Sequence, residues 1–332
     1  MRFGLQLDFR NPPQWHQPPA SLYRESIDFA AWTETLGFDD VWISEHHAAD
    51  DSYLPSPLIA AAAIAAKTRR IRIGTAIAAA PFYHPVRLAE DCAVLDIVSD
   101  GRFELGLGLG YRAEEFAGYG LNQKQRGAMT DEILQIVRRL WDGETLDFDG
   151  HHYQLRGARI MPRPLQQRLP IWIGGFNAPA FRRAAQYGDG IIGGGDIAAR
   201  AREYGAALLA QGKDTATARM LYGMLWFMVA EDPDKAFHEV APHVLHQINT
   251  YAKWLRGTAH EMFKPSTLAD LKAQGTLQVV TPDAAIAMIR NLTAQAPIEG
   301  IYGMIPPAGY PLERLAEHVE LFASKVIPAF RA

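Results

Sequence analysis

One cysteine, Cys92, in 332 residues excludes an internal disulfide and any cysteine-built metal cluster. It falls on a helical pattern with Leu88, Leu95 and Val98, so a buried, inert thiol is the expectation. Basic runs are missing too. The 33 lysines and arginines stand against 37 acidic residues, a formal net charge of -4, which argues against a nucleic-acid partner. No apolar run reaches the length of a membrane span, the alanine-rich stretch 58–66 being too short. The first residues enter a strand-like segment with no charged-then-apolar leader, so a cytoplasmic location is the expectation. With no composition break and no internal repeat, the chain reads as a single domain over 1–332, with excursions at about 142–169 and 231–280. Metal ligands are scarce as well. The adjacent His46 and His47 lack the His-Glu-x-x-His spacing, and adjacent side chains on regular backbone point apart, so no metal is expected.

What is present is a regular alternation. Strand-like segments fall at 3–9, 41–44, 71–75, 102–108, 171–175, 190–192, 221–229 and 300–305, each followed by a helical pattern. The clearest helix is 126–141, with Met129, Ile133, Ile136, Val137 and Leu140 on one face. The strands are apolar without strict alternation, as parallel strands covered on both faces are. Eight such units predict a (β/α)8 TIM barrel, with a doubly wound sheet as the rival.

In a barrel the strand exits share one mouth. There the sequence places Glu45, His46 and His47 after the second strand, Thr75-Ala76 after the third and residues 106–112 after the fourth. Gly174-Gly175-Phe176-Asn177 follows the fifth and Gly193-Gly194-Gly195 the sixth. Glu45 and one histidine either brace the loop or serve chemistry. Glycine amides at a helix start can approach a phosphate, although a tight turn explains Gly174-Gly175 almost as well. Arg126, opening a helix, is either a solvated surface residue or a fixed positive charge for a phosphate, with Arg112 as a second cation. Tyr111 can stack or donate a proton. Trp42 and Trp172 read as core.

Ser44-Glu45-His46-His47, Gly74-Thr75-Ala76, the run from His84-Pro85 to Glu90-Asp91, Leu95-Asp96, the run from Gly101-Arg102 to Leu107-Gly108, Glu115-Phe116 and the run from Pro170 to Gly174-Gly175 together resemble the bacterial luciferase-like flavin-dependent monooxygenase family. The resemblance covers roughly residues 1–195 well and the remainder mainly in layout. It implies a barrel with an insertion after strand seven, and reduced FMN at the C-terminal mouth, where O2 forms a flavin peroxide. It also implies a catalytic imidazole at His46, with His47 and Glu45 beside it. On the cofactor side it implies Thr75, Ala76, Gly108, Leu109, Arg112, Arg126, Gly174, Gly175, Phe176 and Gly194, and a cis Ala76–Ile77 peptide beneath the ring. One departure is Leu109, where luciferase has an arginine; Arg112 or amides near Gly175 would compensate. The family includes enzymes that use the deazaflavin F420 for hydride transfer, which makes F420 the alternative cofactor. A non-catalytic flavin-binding protein is the third reading. The expected partners are O2, a small and largely apolar organic substrate, a separate flavin reductase and a second copy of the chain.

Overall fold

The computed structural model describes residues 1–258, 261, 263–303 and 305–331. Eight short apolar segments pair in parallel: β1 Arg2–Leu7, β2 Asp40–Ile43, β3 Arg72–Thr75, β4 Phe103–Gly108, β5 Ile171–Gly174, β6 Gly190–Gly193, β7 Met220–Met224 and β8 Ile298–Gly303. β3 pairs with β4 and β8 with β1, so the sheet closes into a barrel. The doubly wound alternative is thereby excluded. The connecting helices are α1 Pro19–Thr35, α2 Pro57–Lys67, α3 Pro85–Val98, α4 Ala113–Gly118, α5 Arg126–Trp141, α6 Ala178–Tyr187, α7 Ile197–Ala210, α8 Pro233–Leu255, α9 Leu268–Gln274, α10 Pro282–Gln295 and α11 Leu312–Leu321. α2 and α3 start on prolines, whose missing N–H costs nothing in a first turn.

The core has two shells. Residues between strands and helices form the larger one, into which α5 delivers Ile133, Ile136, Val137 and Leu140 along one stripe. Cys92 is buried there. Inside the barrel a smaller cluster joins Trp42, Trp172, Ile192, Leu221 and Tyr302. The indoles fit because neighbouring strands carry glycine: a Cβ at Gly74 would lie 2.2 Å from the Trp42 ring, and one at Gly190 2.3 Å from that of Trp172. At the N-terminal end, Arg2 bonds Asp40, Glu104 and Glu299, Arg72 also holds Glu104, and the Trp172 Nε1–H donates to Glu104 at 2.6 Å.

Two segments depart from plain crossovers. The excursion before β5 is an antiparallel hairpin of Leu146–Asp149 with Gln154–Ala158. Its turn is fixed to α5 by Glu132, which accepts the amides of His151, His152 and Tyr153. The apolar run 221–229 is not one strand, which corrects the sequence expectation. Met220–Met224 lies in the barrel, whereas Phe227–Val229 leaves it to pair in parallel with Gln278–Val280. Between those outer strands α8 extends through Tyr251 and Trp254 to the C-terminal mouth. β8 begins earlier than expected, and Met304, in the expected strand, lies outside the described residues, as do residues 259, 260 and 262 of the long insertion. Among the described residues no helix is long and apolar enough to cross a membrane.

Candidate active site

Glu45, His46 and His47 leave the end of β2 toward different partners. Glu45 spends both oxygens on the scaffold. Oε1 accepts from His47 Nε2 at 2.7 Å, and Oε2 accepts from the Tyr83 hydroxyl at 2.8 Å and the Ala79 amide at 3.1 Å. His47 packs against Phe82 and Tyr119. This pair braces the loops after β2 and β3.

His46 turns the other way. Its Nδ1 lies 2.9 Å from Glu115 Oε1 and its Nε2 3.0 Å from the Tyr111 hydroxyl. An ionised carboxylate only accepts, so Nδ1 carries the proton and Nε2 accepts from Tyr111. Tyr53 and Trp254 lie edge-on or tilted against the ring, each at 4.8 Å between centroids. Burial lowers the basicity of His46; Arg10 and Arg112 push the same way, and the Glu115 carboxylate opposes them without prevailing. The imidazole is thus held neutral near pH 7. Burial works to raise the Glu115 carboxyl, but bonds from His46 and the His47 amide, with Arg112 nearby, hold it below the ordinary range. Glu115 Oε1 alone accepts from His46 Nδ1, the His47 amide and Arg112 Nη1.

The exit of β1 adds a cluster the sequence reading did not single out. Arg10 bonds Asp8 at 3.0 Å and Asp51 at 2.7 Å, and its guanidinium lies over Tyr53 and Tyr251. Gln247 and His246 of α8 reach Asp8 and Asp51 in turn, tying that helix to the mouth. Burial pushes Asp8 up to about 6, against the pull of Arg10. Phe9, Ala48 and Ser52 have φ of 55°, 48° and 54°, conformations side chains rarely adopt, and all three sit on these exits. Asp8 and Arg10 flank Phe9 at a strand exit, a signal a closer reading could have used; Asp51 carried none.

The expected cofactor-side residues divide. Thr75 is fully buried and exchanges hydrogen bonds with the backbone of Gly106 at 2.7 and 2.9 Å. Ala76–Ile77 is a cis peptide. A Cβ at Gly174 would lie 1.9 Å from Ile77 Cδ1, and one at Gly108 2.7 Å from the same atom. Both glycines therefore make room for Ile77, a use the sequence did not suggest. Leu109 is half-buried. Arg112 is buried, donates to the His47 carbonyl at 2.6 Å and lies 4.1 Å from the Trp254 ring centre. Arg126 opens α5 and donates to the Gln123 carbonyl at 2.9 Å. Gly175, at φ 145°, brings its loop against Ala180 in the first turn of α6. Gly194 accepts from Arg200, a buried residue not anticipated, whose guanidinium lies 4.9 Å from the half-exposed Phe176 ring. Burial lowers the basicity of Arg200. Among the described residues no group of three or more His, Cys, Asp or Glu side chains is placed to hold a metal.

The model of one family, described as luciferase-like monooxygenase, matches residues 1–289. The chain belongs to the luciferase-like monooxygenase family. The oxygenase component of a flavin-dependent trigonelline monooxygenase from Acinetobacter baylyi is 31% identical over 191 residues, 57% of this chain and 52% of the relative. An F420-dependent glucose-6-phosphate dehydrogenase from Amycolatopsis mediterranei is 32% identical over 176 residues, 51% and 53% of the two chains. Among solved structures, monooxygenase RslO1 from Streptomyces bottropensis superposes with a TM-score of 0.86 at 25% identity, covering 99% of this chain and all of that one. The chain spans about half the length of the curated relatives it matches. Relatives of this family member thus include both flavin-dependent monooxygenases and F420-dependent oxidoreductases.

Proposed function

We propose that this protein is the oxygenase component of a two-component monooxygenase, which uses reduced FMN from a separate reductase, together with O2, to oxidise a small and largely apolar organic molecule. The observation that carries the reading is the His46 imidazole, buried among aromatic rings, locked at Nδ1 by Glu115 and joined at Nε2 to Tyr111. The chain suits a phosphorylated planar cofactor. Arg200, beneath the Gly193-Gly194-Gly195 loop, keeps its buried Nε without a partner among the described residues, and the Gly174–Phe176 loop opens onto the N-terminus of α6. Arg200, Arg126 and the amides around Gly175 and Gly194 would hold the phosphate. Reduced FMN supplies the electrons that activate O2.

The side chains do the remaining work. Neutral His46 steadies a developing charge by hydrogen bonding or moves a proton at Nε2, with Tyr111 as its partner. Glu115 keeps the ring in the tautomer that leaves Nε2 able to accept. Tyr53, Tyr251 and Trp254 exclude water from the imidazole. Purified protein mixed with chemically reduced FMN in air should slow flavin reoxidation. Reoxidation at the rate of free flavin, with no bound fraction, would count decisively against the assignment.

Hydride transfer with F420 is the second reading. It is favoured by the F420-dependent relative and by the His46–Glu115 couple, which suits removal of a proton from an alcohol. Parallel titration with reduced FMN and F420 separates the two. A homodimer would use the outer faces of α2 and α3, where Ile59 of α2 and Val94 and Val98 of α3 are exposed. Light scattering of the eluted protein tests it, and a monomer at micromolar concentration rejects it.

A further inference from the structure

Buried guanidinium groups are costly unless every N–H finds an acceptor. Arg10 and Arg112 are 3% and 5% exposed, and their hydrogen bonds stop short of completion. Arg10 satisfies Nε and Nη1 with Asp8 and Asp51, and Arg112 uses Nη1 on Glu115 and the His47 carbonyl. Arg10 Nη2 and Arg112 Nε have no acceptor among the described residues, although both atoms are out of solvent. The two groups come from different strand exits yet converge on one indole. The Trp254 ring centre lies 5.5 Å from the Arg10 guanidinium carbon, 4.1 Å from that of Arg112 and 4.8 Å from the His46 ring. The charges of both arginines reach His46, whose basicity they depress.

We propose that Arg10 and Arg112 form an anion subsite beside His46, and that the substrate carries a carboxylate attached to a planar, apolar body. A carboxylate matches the need: it is planar, accepts at two oxygens and pairs with guanidinium groups by charge-assisted bonds. The rings of Trp254, Tyr251 and Tyr53 around these arginines offer apolar faces to the rest of the molecule. The inference rests on the monooxygenase reading for the role of His46 and narrows its substrate from any apolar organic molecule to an organic acid.

The test uses the full chain and three acid–amide pairs: benzoate and benzamide, nicotinate and nicotinamide, acetate and acetamide. Each is titrated while following tryptophan fluorescence, with calorimetry as the second readout. At least one acid should bind tenfold or more tightly than its amide, an aromatic acid more tightly than acetate. Arg112→Gln should erase the preference and Arg112→Lys should restore part of it. Arg10 is held by two carboxylates, so Arg10→Lys serves as the second variant, with folding checked by circular dichroism; it should weaken acid binding and leave amide binding unchanged. Equal binding in all three pairs overturns the subsite, as does an acid preference that survives Arg112→Gln. Reduced FMN and F420 are titrated separately. Cofactor uptake without acid preference rejects the subsite alone, whereas acid preference without uptake of either cofactor supports the subsite and rejects the monooxygenase reading.

Discussion

The two ends of the barrel are built from similar residues to opposite effect. At the N-terminal end Arg2, Arg72, Asp40, Glu104, Glu299 and Trp172 interlock, and among the described residues none of these six has a buried side-chain polar atom without a partner. At the C-terminal end Arg10, Asp51, Arg112 and Arg200 each keep one among the described residues, against Arg102 at the other end, and Phe9, Ala48 and Ser52 hold backbone conformations that side chains avoid, against Asp100 in the turn before β4. A protein tolerates such defects where something other than stability is selected. The closed network holds the barrel together, and the more open one is where the proposed cofactor and substrate would bind.

The largest expected effect lies at the open end. His46→Ala should lower turnover by roughly 10²–10⁴-fold while leaving flavin binding nearly unchanged. Turnover within a factor of two of the parent would remove His46 from the mechanism. The closed end should respond the other way. Glu104→Gln leaves Arg2 and Arg72 facing a neutral group in a buried network, and should cost about 3–5 kcal/mol of stability in urea denaturation. Activity per folded molecule should be unchanged, and a stable but inactive Glu104→Gln protein would erase the division between the ends.

Gly174→Ala asks whether the mouth is also tightly packed. Its Cβ would fall 1.9 Å from Ile77 Cδ1, and overpacking of this kind costs about 1–3 kcal/mol. An unchanged melting temperature would mean that Ile77 swings aside freely. The smallest effect is a displacement along the pH axis. A neutral His46 is required, and its folded pKa is already lowered, so activity should persist below the usual histidine range and fall as pH drops through that lowered value. Glu115→Gln removes the one charge that supports protonation, so the acid limb should move to lower pH. A limb that stays fixed or moves up would show that another group controls it. The stability term has the same sense: below the ordinary histidine pKa the unfolded chain takes up the proton first, so His46 contributes less to folding as pH falls.

The barrel was legible because buried parallel strands leave short apolar runs at regular spacing, and strand and helix limits agree with the structure to within a few residues. The run 221–229 misled for a physical reason. Apolarity records that a segment is buried, not against which sheet, and the chain leaves the barrel between Met224 and Phe227 without a polar break. The six-residue α4, which carries Glu115, was too short for its periodicity to register. His46 and Tyr111 could be placed at the mouth because each lies just beyond a strand. The contact of Trp254 with His46 could not be read, since it comes from the far end of a 23-residue helix more than two hundred positions away. No local spacing encodes that meeting.

Glu115 Oε1 has a further bearing. Three hydrogens crowd one atom: from an imidazole, from a peptide and from a guanidinium that also lies against Trp254. Whatever draws the guanidinium away leaves more electron density for the imidazole. The arrival of an acid at Arg112 would then make His46 a better base at the moment a reactant is present, a form of timing that needs no moving part larger than a hydrogen bond.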